Sequence, residues 1–559
     1  MRESKPNRAQ RWARALFDEL ARAGVSEVCM APGSRSTPLV AAAVADGRFR
    51  IQTHVDERGA AFYCLGFGRA TGIPAVWLTT SGTAVANGLP AAVEASQDGV
   101  PLVLLTADRP PELIGTGANQ TIRQEGIFGS YPRHTEFLPA PEDADSIDVV
   151  RRAVDRAVQA ATGEWPGPVH INAPFRKPLE PTEVLPGDRE GNVGGPGETA
   201  HASGEHAGGA EAVGSEVSAF LRTMGSPARG LLLAGRLRPA EAAAVQALAD
   251  SSGWPLVADI CSQLRMGPVR PGVITLGDLL AGHAPAPDVI IQVGRMPVSQ
   301  RLTRWLASAE PSVWAVLADG TERIDPHGAA THRLSVSAAA LQGKLPACDE
   351  AFAAKWGSAE RTVRQALPDL LGRRLTEPAV ANHLSRTLPQ DHGLVLAASM
   401  PVRDMNTFAG PGPKPRLVVS NRGASGIDGT LATAAGVSRG LDAPVTVVCG
   451  DLAFLHDLNS LALIARHPVR VVAINNDGGA IFSFLPISAH KELFEPYFAT
   501  PHGLSFEHAA AMFGIPYVRA RRLEDLEVQG PAIVEVNTKR AENTIEHQRL
   551  RQAAADLLA

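Results

Sequence analysis

The sequence predicts an α/β protein made of three consecutive doubly wound modules, each a parallel sheet with helices on both faces. Three observations carry this expectation. Short apolar runs at 75–80, 100–106, 289–293 and 445–448 have the length and β-branched content of fully buried strands. Segments of helical length separate them, as parallel strands require. A stretch at 185–215, rich in glycine and poor in large apolar residues, interrupts the alternation once. A chain of 559 residues exceeds one core, so we expect modules at 1–184, 216–355 and 356–559, with 185–215 as the linker.

In order, residues 9–23 repeat apolar side chains (Trp12, Leu16, Leu20) at helical spacing and stop at Gly24. A strand at 25–30 runs into Pro32-Gly33-Ser34-Arg35-Ser36-Thr37-Pro38 and a helix at 39–44, a βα loop suited to an anion. Strand 51–54 then leads through Asp56-Glu57-Arg58-Gly59 into a helix at 60–69. Strands 75–80 and 100–106 flank a helix opened by Ser81-Gly82-Thr83. In the middle module, strands are expected at 230–234, 254–258, 289–293 and 313–318, without an evident catalytic set. A helical connection of mixed charge at 350–374 leads to the third module.

Composition narrows the function. Hydrophobic residues are 45% and charged residues 20%, ordinary for a soluble globular protein, and the net charge of −5 offers no global basic surface for nucleic acid. No apolar run reaches the roughly 18 residues of a membrane span. The arginine-rich N-terminus lacks an apolar signal core. Five scattered cysteines (29, 64, 261, 348, 449) without a CxxC fit reduced thiols in a cytoplasm rather than a zinc site or a disulfide framework. Gly66-Phe67-Gly68 with Gly72 falls in a helix, where packing explains it better than dinucleotide binding. Gly423-Ala424-Ser425-Gly426-Ile427 fails the nucleophile-elbow pattern at its fifth position.

Chemistry concentrates in the third module. Strand 445–448 delivers Cys449-Gly450-Asp451, and the next strand, 469–474, ends in Asn475-Asn476-Asp477-Gly478-Gly479; a helix at about 458–466 connects them. Asp451 and Asn476 should therefore stand on neighbouring strand ends, where α/β proteins bind ligands. A carboxylate, an amide oxygen and a loop carbonyl at Gly478 are hard ligands suited to Mg²⁺, with room for diphosphate oxygens. A turn and a plain loop are the alternative there, and an exposed helix-capping role is the alternative for Glu57. Four arginines follow strand ends in loops: Arg35, Arg109, Arg403 and Arg422. Together they suit substrates rich in carboxylates.

The Gly-Asp…Asn-x-Gly arrangement resembles the metal–diphosphate motif of thiamine-diphosphate enzymes. Pro-Gly-Ser-Arg-Ser-Thr-Pro-Leu, Asp-Glu-Arg-Gly-Ala, Thr-Ser-Gly-Thr-Ala-Val-Ala-Asn, Thr-Ala-Asp-Arg-Pro-Pro-Glu-Leu, Gly-Ala-Asn-Gln-Thr-Ile-Arg-Gln, Asn-Arg-Gly-Ala-Ser-Gly-Ile-Asp-Gly and Phe-Glu-His-Ala-Ala-Ala-Met-Phe together resemble the 2-succinyl-5-enolpyruvyl-6-hydroxy-3-cyclohexene-1-carboxylate synthases of menaquinone biosynthesis. The match covers both outer modules and is weak in the linker and middle module.

The resemblance implies a pyrimidine-binding first module, a cofactor-free middle module and a diphosphate-binding third. Glu57 would contact the aminopyrimidine and share its proton, and Ile427 would wedge the cofactor. Asp451, Asn476 and the Gly478 carbonyl would hold Mg²⁺, or Mn²⁺ in its place. Ser399, Leu452 and Ile481 would complete the cofactor contacts. Ser34, Arg35, Arg109, Gln120, Ser399, Arg403, Arg422, Phe482 and Leu485 would face the substrates. One departure stands out. Gln300 occupies a position where the family carries a substrate-side lysine, so Arg295 or Arg301 supplies that charge, or one carboxylate is held less firmly. The implied reaction is decarboxylation of 2-oxoglutarate and conjugate (1,4) addition of the succinyl carbanion to isochorismate. It implies a homodimer, or a dimer of dimers, with each site shared between two chains. Two other readings stay open. A pyruvate enzyme of the acetolactate synthase or decarboxylase type would share the cofactor motifs but has no need of four such arginines. A non-catalytic nucleotide-binding α/β protein would use the same modules.

Overall fold

Among the described residues of the computed structural model (7–142, 147–182, 209–224, 229–317 and 324–559), eighteen strands form three six-stranded sheets. The first holds β1 (Glu27–Met30), β2 (Arg50–Thr53), β3 (Ala75–Thr79), β4 (Leu102–Asp108), β5 (His134–Phe137) and β6 (Pro168–Pro174), in the order β2-β1-β3-β4-β6-β5. The second holds β7 (Gly230–Ala234), β8 (Leu256–Ala258), β9 (Val273–Ile274), β10 (Val289–Val293), β11 (Val313–Leu317) and β12 (His332–Leu334), in the order β12-β11-β10-β7-β8-β9. The third holds β13 (Gly393–Leu396), β14 (Val418–Ser420), β15 (Val445–Gly450), β16 (Val469–Asn475), β17 (Tyr517–Ala520) and β18 (Ala532–Asn537). Its order, β14-β13-β15-β16-β18-β17, repeats that of the first sheet strand for strand. All the described pairings run parallel, which makes the predicted α/β class the observed one.

The chain divides into two compact units. One takes in Met1–Ala202, Asn421–Val445 and Ala453–Val469. In it Asn7 caps the helix Arg8–Arg22 through a reciprocal pair of 2.9 Å bonds with Gln10, and that helix buries Leu16, Phe17 and Leu20 against Val28, Val103 and Ile171. The helix Glu57–Thr71 packs on the helix Thr430–Leu441 at very close range. A Cβ on Gly66 would lie 2.2 Å from the Thr433 carbonyl oxygen, and one on Gly436 would lie 2.0 Å from that of Tyr63. Gly66 thus serves helix packing, Gly68 passes close to the Pro101 carbonyl, and Gly72 caps the helix in the left-handed conformation.

The other unit, Ser203–Ser420, Thr446–Leu452 and Arg470–Ala559, has a continuous apolar core beneath the second and third sheets. Glu360, on the helix Glu350–Leu371, reaches the second sheet's loops, where its carboxylate accepts from the Thr275 and Leu276 N–H groups (3.1 Å each). Of the expected linker, 185–208 lies outside the described residues, and the helix Gly209–Leu221 occupies part of the remainder. No helix among the described residues is long and apolar enough to cross a membrane.

Two local expectations change. Instead of one helix at 458–466, a helix Asp451–His456 is followed by a 3-10 turn, Leu458–Ser460, and a short helix, Leu461–Ile464. The break falls at Asp457, whose carboxylate caps another helix rather than facing water: Oδ2 accepts from the N–H groups of Leu431 (2.8 Å) and Ala432 (3.0 Å). Arg403, expected in a loop, lies inside the helix Met400–Phe408, whose first turn accommodates Pro401.

Candidate active site

The end of β15 hands the chain directly to Asp451, the first residue of its helix. Its carboxylate is 2% exposed and heavily engaged: Oδ1 accepts from the Leu452 N–H (2.7 Å), and Oδ2 from the N–H groups of Asn476 (3.0 Å) and Gly478 (2.8 Å). The two neighbouring strand ends thus meet as predicted, joined through this one side chain. His502 adds its Nε2 at 3.4 Å from Oδ2; its Nδ1 accepts from the Leu504 N–H, which leaves the ring proton on Nε2. Gly478 has φ +124°, and a Cβ there would lie 1.9 Å from the Ala499 carbonyl oxygen, so this turn demands glycine.

Asn476 supplies the test of whether these residues suit a cation. Its Nδ2 donates to Glu377 Oε1 (2.9 Å), while its Oδ1 is buried with no hydrogen-bond partner. A buried acceptor left unpaired is costly, and a cation at that oxygen removes the cost. Among the described residues no cluster of three or more His, Cys, Asp or Glu could hold a metal unaided, so a cation here would need ligand oxygens as well. Asn476 Oδ1 beside the Asp451 carboxylate suits such a cation, and the Gly478 carbonyl, which accepts from the Ala480 N–H (2.9 Å), keeps a second lone pair to offer. Beneath them Glu377 is 1% exposed, its pKa pushed up by burial first and by Asp404 next.

In the same unit, Ser399 precedes the helix Met400–Phe408, and Arg403 turns back to donate to the carbonyls of Ala398 (2.9 Å) and Ser399 (2.7 Å). Ile481 and Phe482 lie in the 3-10 turn Ala480–Phe484 just beyond Gly478, with the Phe482 ring 5.7 Å from Phe498; Leu485 is 47% exposed. Gln300 is exposed at the start of the helix Gln300–Ser308, whereas Arg301 folds inward to the Ala281 carbonyl (3.0 Å).

The first unit gathers a second group at the C-terminal edge of its sheet. Arg35 and Arg109 follow β1 and β4, both buried, and both feel the charge of Asp108. Burial, and then the charge of Arg109, lowers the Arg35 guanidinium; burial raises Asp108 against the hydrogen bond from Asn172 and the pull of both arginines. Arg35 also donates to the Phe175 carbonyl (2.8 Å). Ser34 and Gln120 are exposed here; Gln120 Nε2 donates to the Ser81 carbonyl (2.9 Å). Under this edge runs a buried network. Gln124 accepts from the Gly82 N–H (3.1 Å) and donates to Asn172 (2.8 Å), Asn172 donates to Asp108 (2.9 Å), and Asp108 accepts from the Arg109 N–H (2.7 Å).

Glu57 opens the helix Glu57–Thr71, half-buried, and it is Asp56 whose side chain caps that helix through the Arg58 N–H (2.9 Å). The capping explanation for Glu57 therefore falls away. Among the described residues its carboxylate makes no hydrogen bond. Arg422 and Ile427 share a loop braced at both ends. Glu94, 2% exposed, accepts from the N–H groups of Gly423 (2.9 Å) and Ala424 (2.6 Å), and Asp457 holds the start of the helix beyond. Gly429 lies against Phe62, with a hypothetical Cβ only 1.9 Å from the ring, so the Ile427 loop packs on the helix that Glu57 opens.

Gln124 entered the sequence reading only as the last residue of Gly-Ala-Asn-Gln-Thr-Ile-Arg-Gln, without a role, and Glu377, Glu94, Asp457 and His502 escaped it. Only Glu94 carried a local signal, as the sole acid amid the alanines at 91–95; the others acquire meaning from partners distant in sequence.

Three family models match successive parts of the chain. The model of the thiamine pyrophosphate enzyme N-terminal TPP binding domain matches residues 10–127, the middle domain of thiamine pyrophosphate matches 219–396, and the C-terminal TPP binding domain matches 402–538. Among similar proteins is the 2-succinyl-5-enolpyruvyl-6-hydroxy-3-cyclohexene-1-carboxylate synthase of Rubrobacter xylanophilus, 48% identical over 99% of this chain and 100% of the relative. Proteins of the same name from Salinibacter ruber (45%, covering 98% of this chain and 96% of the relative) and Halobacterium salinarum (39%, 98% of each) are similar as well.

Proposed function

The chain belongs to the 2-succinyl-5-enolpyruvyl-6-hydroxy-3-cyclohexene-1-carboxylate synthases, thiamine-diphosphate-dependent enzymes of menaquinone biosynthesis that form a C–C bond, and from that premise we propose its reaction in detail. The substrates are 2-oxoglutarate, which loses CO₂, and isochorismate, which receives the remaining succinyl unit by conjugate addition. The cation is Mg²⁺, held by Asp451, Asn476 Oδ1 and the Gly478 carbonyl. The enzyme is self-associated, with Glu57 and Asp451 of one site supplied by different chains.

The observation that carries this reading is the buried, unpartnered Oδ1 of Asn476 beside an Asp451 carboxylate already fixed by three N–H groups. Bound thiamine diphosphate supplies the electron sink for the pair released in decarboxylation. This chain's own residues supply orientation, charge and one proton relay. Glu57, with no competing hydrogen bond on its carboxylate, would contact the aminopyrimidine and share its proton. Arg35 and Arg109, desolvated and unable to discharge, grip carboxylates in a fixed fork. Arg403 and Arg422 each act on substrate carboxylates rather than on the cofactor. Ile481, Phe482 and Leu485 form an apolar wall, and Ile427 is the wedge.

The test is product analysis with purified protein, thiamine diphosphate and Mg²⁺. Incubation with 2-oxoglutarate and isochorismate should release CO₂ and give the succinylated cyclohexene product, with pyruvate turned over far more slowly. Pyruvate turnover equal to that of 2-oxoglutarate would replace this reading with an acetolactate-synthase-type one. Light scattering on the same preparation should show a dimer or larger; a fully active monomer would remove the shared site.

A further inference from the structure

We propose that Glu377 is a positioning residue for the cation site, orienting the Asn476 amide so that its oxygen faces the ion. The inference rests on the reading above that Asn476 Oδ1 is a cation ligand. A side-chain amide has two orientations of nearly equal shape and opposite polarity, and its neighbours decide between them. At Asn476 the decision belongs to Glu377: its Oε1 accepts from Asn476 Nδ2 and also from Thr538 Oγ1, both at 2.9 Å. Turning the amide over would set Oδ1 against Oε1, acceptor against acceptor, and would aim an NH₂ group at the cation.

The backbone fixes the carboxyl that does this. Glu377 is the first residue of the helix Glu377–Thr387, which Thr376 caps through the Ala379 N–H (3.3 Å), and Thr538 follows β18 immediately. Asn476 is held independently through its own N–H on Asp451, so Glu377 controls the amide and not the strand end. The second oxygen, Glu377 Oε2, is buried without a partner, and Asp404 is a buried acid close by. For packing alone an apolar side chain would serve better, because a buried carboxyl with an unsatisfied oxygen costs stability. Oε1 remains an acceptor whether or not Oε2 carries a proton, so the orienting effect does not depend on pH. Partners of this kind, which hold a ligand rather than the ion, typically change metal affinity by about 10–100-fold.

The experiment is calorimetric titration of the full-length enzyme with Mg²⁺ in saturating thiamine diphosphate, beside a melt of each variant without ligands. Glu377→Met keeps the length of the side chain and removes the acceptor; it should weaken Mg²⁺ binding roughly 10-fold or more. Glu377→Gln, which retains an acceptor oxygen, should stay within about 3-fold of the parent. The double variant Glu377→Met/Asn476→Ala should bind no worse than Asn476→Ala alone, because both changes act through one amide. If Glu377→Met fails to fold, Glu377→Leu takes its place, and the Gln variant still tests the acceptor role. Unchanged Mg²⁺ affinity in Glu377→Met together with a weakened Asn476→Ala overturns the positioning role and leaves the ligand assignment standing. Unchanged affinity in Asn476→Ala overturns the ligand assignment and this inference with it. A lowered unliganded melt with normal Mg²⁺ affinity would make Glu377 purely structural.

Discussion

Where β3 ends, the first sheet presents Ser81 and Gly82; where β15 ends, the third presents Asp451. These strands hold the same place in two sheets of identical order, as do β4 and β16, which end in Asp108-Arg109 and Asn475-Asn476. The buried polar group beneath differs in the same sense. On β6 it is an amide, Asn172, which donates to Asp108 and leaves the arginines to set the sign of the edge. On β18 it is a carboxylate, Glu535. Burial raises its pKa, but hydrogen bonds from Tyr517, the Phe506 N–H, Asn475 and Ser505 outweigh that and hold it below the usual range. One framework therefore ends in buried arginines at one edge and in a buried carboxylate beside an unpaired amide oxygen at the other, and the difference is made by about two residues per strand end. The middle sheet follows another order, β12-β11-β10-β7-β8-β9. Its Asp259, beyond β8, is spent on the backbone N–H groups of Cys261 (2.9 Å) and Val298 (2.7 Å).

If the contrast is real, each edge should fail toward its own ligand. The largest effect is expected from Asp451→Ala. Removing one charge from a buried, paired set costs about 3–5 kcal/mol, so Mg²⁺-dependent binding of thiamine diphosphate should fall by roughly 100-fold or more. Calorimetry showing parental cofactor affinity would break the comparison at its cation end. Arg109→Ala should act on the other end. Losing a buried charged donor costs about 2 kcal/mol at the low end, which predicts roughly a 30-fold drop in kcat/KM for the carboxylate substrates with cofactor affinity unchanged. Steady-state kinetics and the same titration decide it. Equal losses for substrate and cofactor would mean that Arg109 holds the fold rather than an anion.

How far this was legible follows from where each group finds its partner. Strand ends with Gly-Asp and Asn-x-Gly announced the meeting of Asp451 with Asn476, because the spacing of two parallel strands fixes which residues become neighbours. The arginines after β1 and β4 were legible for the same reason. The orientation of Arg403 was not, since a loop before a helix and its first turn look alike when Pro401 suits both. Glu377 stands 99 residues from Asn476, and Gln124 stands 42 from Gly82, so no local pattern could join them. The short strands β9, β12 and β14 are two or three residues long, too short to show a period.

The smallest effect concerns what lies beneath the anion edge, and it has a definite sign. His170, on β6, is buried between the Phe128 and Phe137 rings, and its Nε2 lies 2.8 Å from Thr106 Oγ1. Thr106 already donates its proton to Asn172 Oδ1 (2.7 Å), so it must accept from His170, which fixes the neutral ring with its proton on Nε2. Among the described residues no charge shifts the ring, and burial alone drives its pKa from 6.5 down to about 3. The unfolded chain therefore binds a proton that the folded chain refuses. The stability His170 contributes is complete above pH 6.5, declines as the pH falls, and stops declining near pH 3, where the folded form also protonates. At pH 5 the loss should be about 2 kcal/mol, from roughly 1.4 kcal/mol per pH unit. His170→Gln keeps a donor for Thr106 and removes the titration. Its melting temperature should start somewhat lower at pH 7.5 and fall less than the parent's on going to pH 5. A parallel decline in both proteins would show that the ring is already open to protons in the folded state, and the dry, neutral support assigned to the anion edge would have to be abandoned.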